Sequence, residues 1–339
     1  MLTWMPKALT SKDGLEHKQI PIYAAALFVG AVVGLVSPAT GSVLEAAIYP
    51  VLGILLYATF LQVPFTELRS AAASGKFLAA MLVLNFVFVP VVVFVLSRFV
   101  AGDPAVLLGV LLVLLTPCID YVIVFSGLGG SDERKVLAAT PVLMLAQIIT
   151  LPLYLWLFMG SEVLTVFSAG PFLEAFLLLI ALPLGLAIAT QYLKVRRSSV
   201  GSLASRWDSA MGYLPVPFLA LTLLAVVASQ IPKLEGAFGQ VVGVVPIYVV
   251  FLVVMALVGR LTARLFSLEV QTGRALIFTG ATRNSLVVLP LALALPDSYA
   301  LTPAIVVTQT LVELVGMLVY IRAIPAWVLP AQAARGSSP

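Results

Sequence analysis

The strongest constraint on this chain is its succession of apolar blocks, each about 18 to 25 residues long and parted by short polar loops. A block of that length crosses a hydrocarbon core of about 30 Å as one α-helix. Lipid offers no water to a bare N–H or C=O, so only helices and closed barrels can span it. The period-two alternation of barrel strands is absent, which leaves helices. With 61% hydrophobic and 10% charged residues and a mean hydropathy of +1.12, the chain has too little polar surface to cover a water-soluble globule. It reads as an all-α polytopic membrane protein. Ten transmembrane helices are expected, at 20–37, 43–63, 77–97, 105–128, 136–160, 172–193, 211–231, 240–263, 275–296 and 300–321.

A pI near 9.2 and a formal charge of +4 would suit nucleic-acid binding only if the bases shared one face, and they lie instead in the short loops. With the N-terminus inside, every Lys and Arg falls on the cytoplasmic side except Arg98, Lys233 and Arg283. That asymmetry predicts a multi-pass protein of the cell inner membrane with both termini cytoplasmic. The polar segment 1–19 lacks the short apolar core and cleavage site of a secretory signal, so it is expected to be a cytoplasmic tail, as is 325–339. The lone histidine, His17, and the lone cysteine, Cys118, exclude a histidine metal site, a Ser-His triad and an intrachain disulfide. Gly127, Gly129 and Gly130 follow no strand and read as a helix exit, not a phosphate loop. No enzyme, no cofactor and no nucleic-acid partner is expected; the partners are the lipid bilayer, a small-molecule or oxyanion substrate, and protons in preference to sodium.

Ten spans divide into five and five, and an odd-numbered unit that is duplicated inserts its second copy upside down. The first repeat is placed at 20–160 and the second at 172–324, with the segment 161–207 holding span six and the basic loop Lys194–Arg206. Spans five and ten each carry Thr-Pro with Gln six residues after the proline: Thr140, Pro141, Gln147 and Thr302, Pro303, Gln309. The same offset carries the polar interval of span four onto span nine.

Span four reads LLVLLTPCIDYVIVFSGLGG. Pro117 cannot donate and opposes a continuous helix, so carbonyls around Val113 should be freed beside Thr116, Cys118 and Asp120. Span nine is interrupted by Thr279, Gly280, Thr282, Arg283, Asn284 and Ser285. Charges at membrane depth are costly and mark functional sites. Arg283 needs a partner, and Asp120 and Glu313 are the candidates. These three charges sum to −1, which leaves one acid to carry a proton. Gln147, Gln309 and Asn85 can hydrogen-bond between helices.

Thr116-Pro117-Cys118-Ile119-Asp120 and the run from Ile277 through Ser285 resemble the bile acid/sodium symporter and arsenite permease families of the bile/arsenite/riboflavin transporter superfamily, and are closest to arsenic-resistance permeases. The resemblance implies that broken helices four and nine cross in a core domain of spans 3–5 and 8–10, which moves against a panel of spans 1, 2, 6 and 7. It also implies that Cys118 is the As(III) contact. Where the sodium symporters carry glutamate and glutamine, this chain has Thr279 and Arg283, and the paired asparagines and glutamate of the arsenite permeases are absent. The leading expectation is efflux of arsenite or a related metalloid oxyanion by proton antiport. Cys118 would be the transient ligand, Arg283 would orient the oxyanion, and Asp120 or Glu313 would carry the proton. The alternative is a sodium- or proton-coupled symporter of an organic anion, clamped by Arg283. Thr116, Thr282, Asn284, Ser285, Gln147 and Gln309 complete the candidate transport site. A sensor or scaffold would leave the intramembrane charges without a use.

Overall fold

The computed structural model describes residues 18–63, 75–119, 121–160, 174, 176–195, 199–234 and 238–330. Asp120, nearly all of the N-terminal tail and the last nine residues lie outside the described residues. Among the described residues no strand forms, although valine and isoleucine abound. In water such β-branched runs favour sheet. In lipid the need to bond every peptide group within its own segment overrides that preference.

The helices are α1 (Gln19–Val36), α2 (Pro38–Gln62), α3 (Gly75–Val83), α4 (Val89–Ser97), α5 (Pro104–Leu114), α6 (Tyr121–Leu128), α7 (Glu133–Met159), α8 (Leu182–Lys194), α9 (Ser199–Met211), α10 (Pro215–Gln230), α11 (Phe238–Leu265), α12 (Val270–Ala281), α13 (Ser285–Leu293) and α14 (Thr302–Ala323). Among the described residues, six helical stretches are long and apolar enough to cross a membrane, with α9 and α10 forming a further pair bent by 46°. Spans four and nine are missing from those six because each is interrupted. The outer faces carry rows of exposed aliphatic side chains at helical spacing: Ile149, Leu153 and Leu157 on α7, and Val253, Leu257 and Leu261 on α11. Such rows are a lipid-facing surface. The protein is therefore a multi-pass membrane protein.

Within the stretch expected as a basic loop, α9 begins at Ser199, and its Asp208 pairs with Lys194 at 2.5 Å. The two Thr-Pro pairs also sit in different local settings. Pro141 lies inside α7, whereas Pro303 opens α14, where a missing N–H costs nothing.

Contacts divide the chain into two units. In the first (1–66, 164–242 and 286–307), α10 packs on α1 and α2, and α8 packs on α2. Close approach depends on small residues: a Cβ on Gly30 would lie 2.7 Å from the Leu224 carbonyl oxygen, and one on Gly41 would collide with the Ala228 carbonyl. The end of α2 is capped by Gln191, whose Nε2 donates to the Leu61 carbonyl at 2.9 Å and also to that of Val63.

In the second unit (67–163, 243–285 and 308–339), α12 packs against α3, α6 and α7. Between α3 and α4 a π-helical turn, Leu84–Phe88, interrupts the α-helical register. Pro90 gives no N–H to the Phe86 carbonyl four residues earlier, and the Tyr154 hydroxyl of α7 donates to it instead. Gly130, at φ +65, turns the chain out of α6 as expected, and its carbonyl accepts from Arg274 at 3.2 Å.

Candidate functional site

The site grows from the two interruptions. Helix α5 stops at Leu114 because Pro117 cannot extend it, residues 115–119 are non-helical, and α6 begins at Tyr121. Helix α12 stops at Ala281, where Thr282 turns extended (φ −81, ψ 136), and the chain is helical again from Ser285. The two extended pieces cross and form an antiparallel bridge between Pro117 and Arg283. The Cys118 N–H donates to the Thr282 carbonyl at 3.2 Å, and the Asn284 N–H donates to the Thr116 carbonyl at 2.8 Å. Each break thus supplies hydrogen bonds that the other lacks, and this lets irregular backbone exist in a water-poor interior.

The carbonyls released at the end of α5 can be followed one by one. That of Leu111 accepts from the Leu115 N–H, that of Leu112 from the Thr116 hydroxyl at 2.8 Å, and that of Val113 from the Thr116 N–H at 3.4 Å. The Leu114 carbonyl instead takes Nη1 of Arg283 at 3.3 Å. The freed acceptor is therefore one residue beyond the position expected from Pro117 alone. The Thr116 N–H, which takes the Val113 carbonyl, is what shifts it.

Arg283 is fully buried, and its guanidinium is directed onto oxygen atoms of the protein. Nη2 lies 2.8 Å from the Thr279 carbonyl, 2.6 Å from that of Gly280 and 2.9 Å from Oδ1 of Asn85. Two hydrogens serve three acceptors, so one is shared between the adjacent carbonyls of α12. Leu114, Thr279 and Gly280 lie in the last turns of α5 and α12, where a helix presents its partial negative charge. Cζ also sits 5.6 Å from the ring centre of Phe251 on α11. Asn85 is fixed in orientation because its Nδ2 donates to the Met81 carbonyl at 3.1 Å, which leaves Oδ1 for the cation. It lies in the π-helical turn, a feature that recurs at functional positions.

Glu313 of α14, also fully buried, accepts the backbone N–H of Arg283 at 2.8 Å. Gln309, one turn earlier, donates Nε2 to the same carboxylate oxygen. The acid expected to face the guanidinium braces the unwound backbone that carries it. Asp120, the other expected partner, lies outside the described residues.

Thr116, Cys118, Thr282, Arg283 and Asn284 are brought together at the bridge, and Glu313 and Gln309 join them through the backbone of Arg283. Ser285 is buried at the start of α13. Gln147 is buried on α7, and both ends of its amide lack a hydrogen-bond partner among the described residues. Sequence reasoning left Asn85 undecided and missed Phe251 and the three carbonyls. Backbone acceptors have no sequence signature beyond the breaks that free them. Among the described residues no cluster of metal-ligating side chains forms.

No curated protein matches the chain. The family model described as Sodium Bile acid symporter family matches residues 49–236, more than half of the chain, including the first break but not the second. With that match, the chain belongs to the Sodium Bile acid symporter family.

Proposed function

We propose that this protein is a secondary active transporter that carries a small organic anion together with a cation, by alternating access. One observation carries the reading: two interrupted helices cross at buried, polar-lined backbone in a protein whose family is one of transporters, not enzymes. Half-helix ends at membrane depth are what transporters use to hold ions and charged substrates. The full architecture proposed is ten spans in two inverted five-helix repeats, with spans 3–5 and 8–10 as the core and spans 1, 2, 6 and 7 as the panel. Spans 1, 2, 6 and 7 group in one unit (1–66, 164–242) and spans 3–5 and 8 with parts of 9 and 10 in the other (67–163, 243–285, 308–339), while 286–307, expected in the core, groups with the first. The loop-charge asymmetry supports an inner-membrane location with cytoplasmic termini.

The family match favours organic-anion symport over arsenite efflux. The arsenite reading needs the Cys118 thiol to meet As(III), and that thiol is fully buried beside the bridge. The deciding experiment is uptake into proteoliposomes of a panel of organic anions and arsenite, with sodium and proton gradients imposed separately. Organic-anion uptake that responds to one gradient and survives Cys118→Ser is expected. Arsenite movement that Cys118→Ser abolishes would overturn the reading in favour of metalloid transport.

A further inference from the structure

We propose that Arg283 is a tethered cation that occupies, within the crossing, a cradle of oxygens otherwise suited to a mobile sodium ion. It deepens the transport reading above, from which it takes only that a free cation accompanies the substrate.

The cradle is defined by its oxygens. The Leu114, Thr279 and Gly280 carbonyls and the Asn85 amide oxygen converge on one buried positive group, with the Phe251 ring beside it. Neutral carbonyl and amide oxygens at helix C-terminal ends are the groups that coordinate sodium in transporters with discontinuous helices. They replace the ion's hydration shell. Here the guanidinium satisfies them directly. A free ion about 4 Å from that charge would meet a repulsion worth roughly a thousandfold in affinity at an effective dielectric of about 20. Sodium and Arg283 therefore exclude each other at this place, although the family's name carries sodium.

A fixed cation has a consequence that a dissociable one lacks. The negative helix ends and Asn85 are neutralised at every stage of the cycle, whatever the sodium concentration on either side. The crossing is then held together without an ion to load, and any coupling ion must act elsewhere.

The test measures cation binding in the purified full-length protein, independent of any substrate. Thermal unfolding midpoints are compared in sodium chloride and choline chloride at equal ionic strength for wild type, Arg283→Lys and Arg283→Ser. Wild type and the lysine variant, which retains a charge, should show the same sodium response, set only by whatever ion acts elsewhere. The serine variant empties the cradle and should melt lower in choline, with sodium restoring on the order of 2 °C or more beyond the wild-type response in a concentration-dependent way. A folded serine variant whose sodium response is no larger than that of the wild type would overturn the proposal, and so would a lysine variant with the enlarged response expected of serine. If the serine variant does not fold, Arg283→Gln carries the same comparison. A failure of organic-anion uptake would leave these melting results intact, so the two readings fail separately.

Discussion

Replacing Asn85 with leucine tests the cradle through a side-chain oxygen. The substitution removes the acceptor 2.9 Å from Nη2 of Arg283 and the donor 3.1 Å from the Met81 carbonyl, at a fully buried position. A hydrogen bond to a charged group contributes about 1.5–3 kcal/mol and a neutral one about 1 kcal/mol. The apolar replacement recovers roughly 1–2 kcal/mol of burial. The net loss is about 2 kcal/mol, which corresponds to a fall of about 4–8 °C in the unfolding midpoint. Asn85→Asp keeps an acceptor for the guanidinium and makes it charge-assisted, so it should retain most of the stability despite losing the donor to Met81. The assay is built into the chain. Cys118 is its sole cysteine and has 0% exposure, so a thiol-reactive fluorophore reports opening at the crossing itself. A leucine variant that melts with the wild type, or an aspartate variant as unstable as the leucine one, would refute the reasoning.

Other substitutions probe the supports around the site. Tyr154→Phe leaves the Phe86 carbonyl without the donor that Pro90 denies it, and should lower the midpoint by an amount equivalent to about 1–2 kcal/mol, read in the same assay. Gly41→Ala drives a Cβ into the Ala228 carbonyl, so thermal melts should show a loss of roughly 1–3 kcal/mol, whereas alanine at Gly185, which meets open space, should be neutral. Gln147→Leu removes a buried amide with no described partner at either end; its midpoint should hold or rise, while organic-anion uptake falls if Gln147 belongs to the transport site. Arg274→Ala gives up bonds to the Leu329 carbonyl at 2.9 Å and the Gly130 carbonyl at 3.2 Å, and should increase proteolysis near Gly130 in limited-digestion experiments.

The sequence by itself determined the solvent and hence the secondary structure. Blocks of apolar residues long enough to cross lipid force helices even where valine dominates, as in PVVVFVLS before Arg98, because the backbone has no other means of hydrogen bonding there. It also located both interruptions. Pro117 and the polar run around Arg283 are local features, and a proline or a charge at membrane depth disturbs a helix wherever the rest of the chain lies. Tertiary structure decided what the interruptions do. The expectation that Arg283 would look to an acid, or outward to an oxyanion, followed from charge alone. Packing brings the end of α5, 169 residues before Arg283, and the end of α12 onto one guanidinium, and gives Glu313 the backbone N–H of the same residue. Carbonyl oxygens are common to all residues, so their convergence is invisible in one dimension. It exists only once two broken helices, a π-helical turn and a crossing have placed them together.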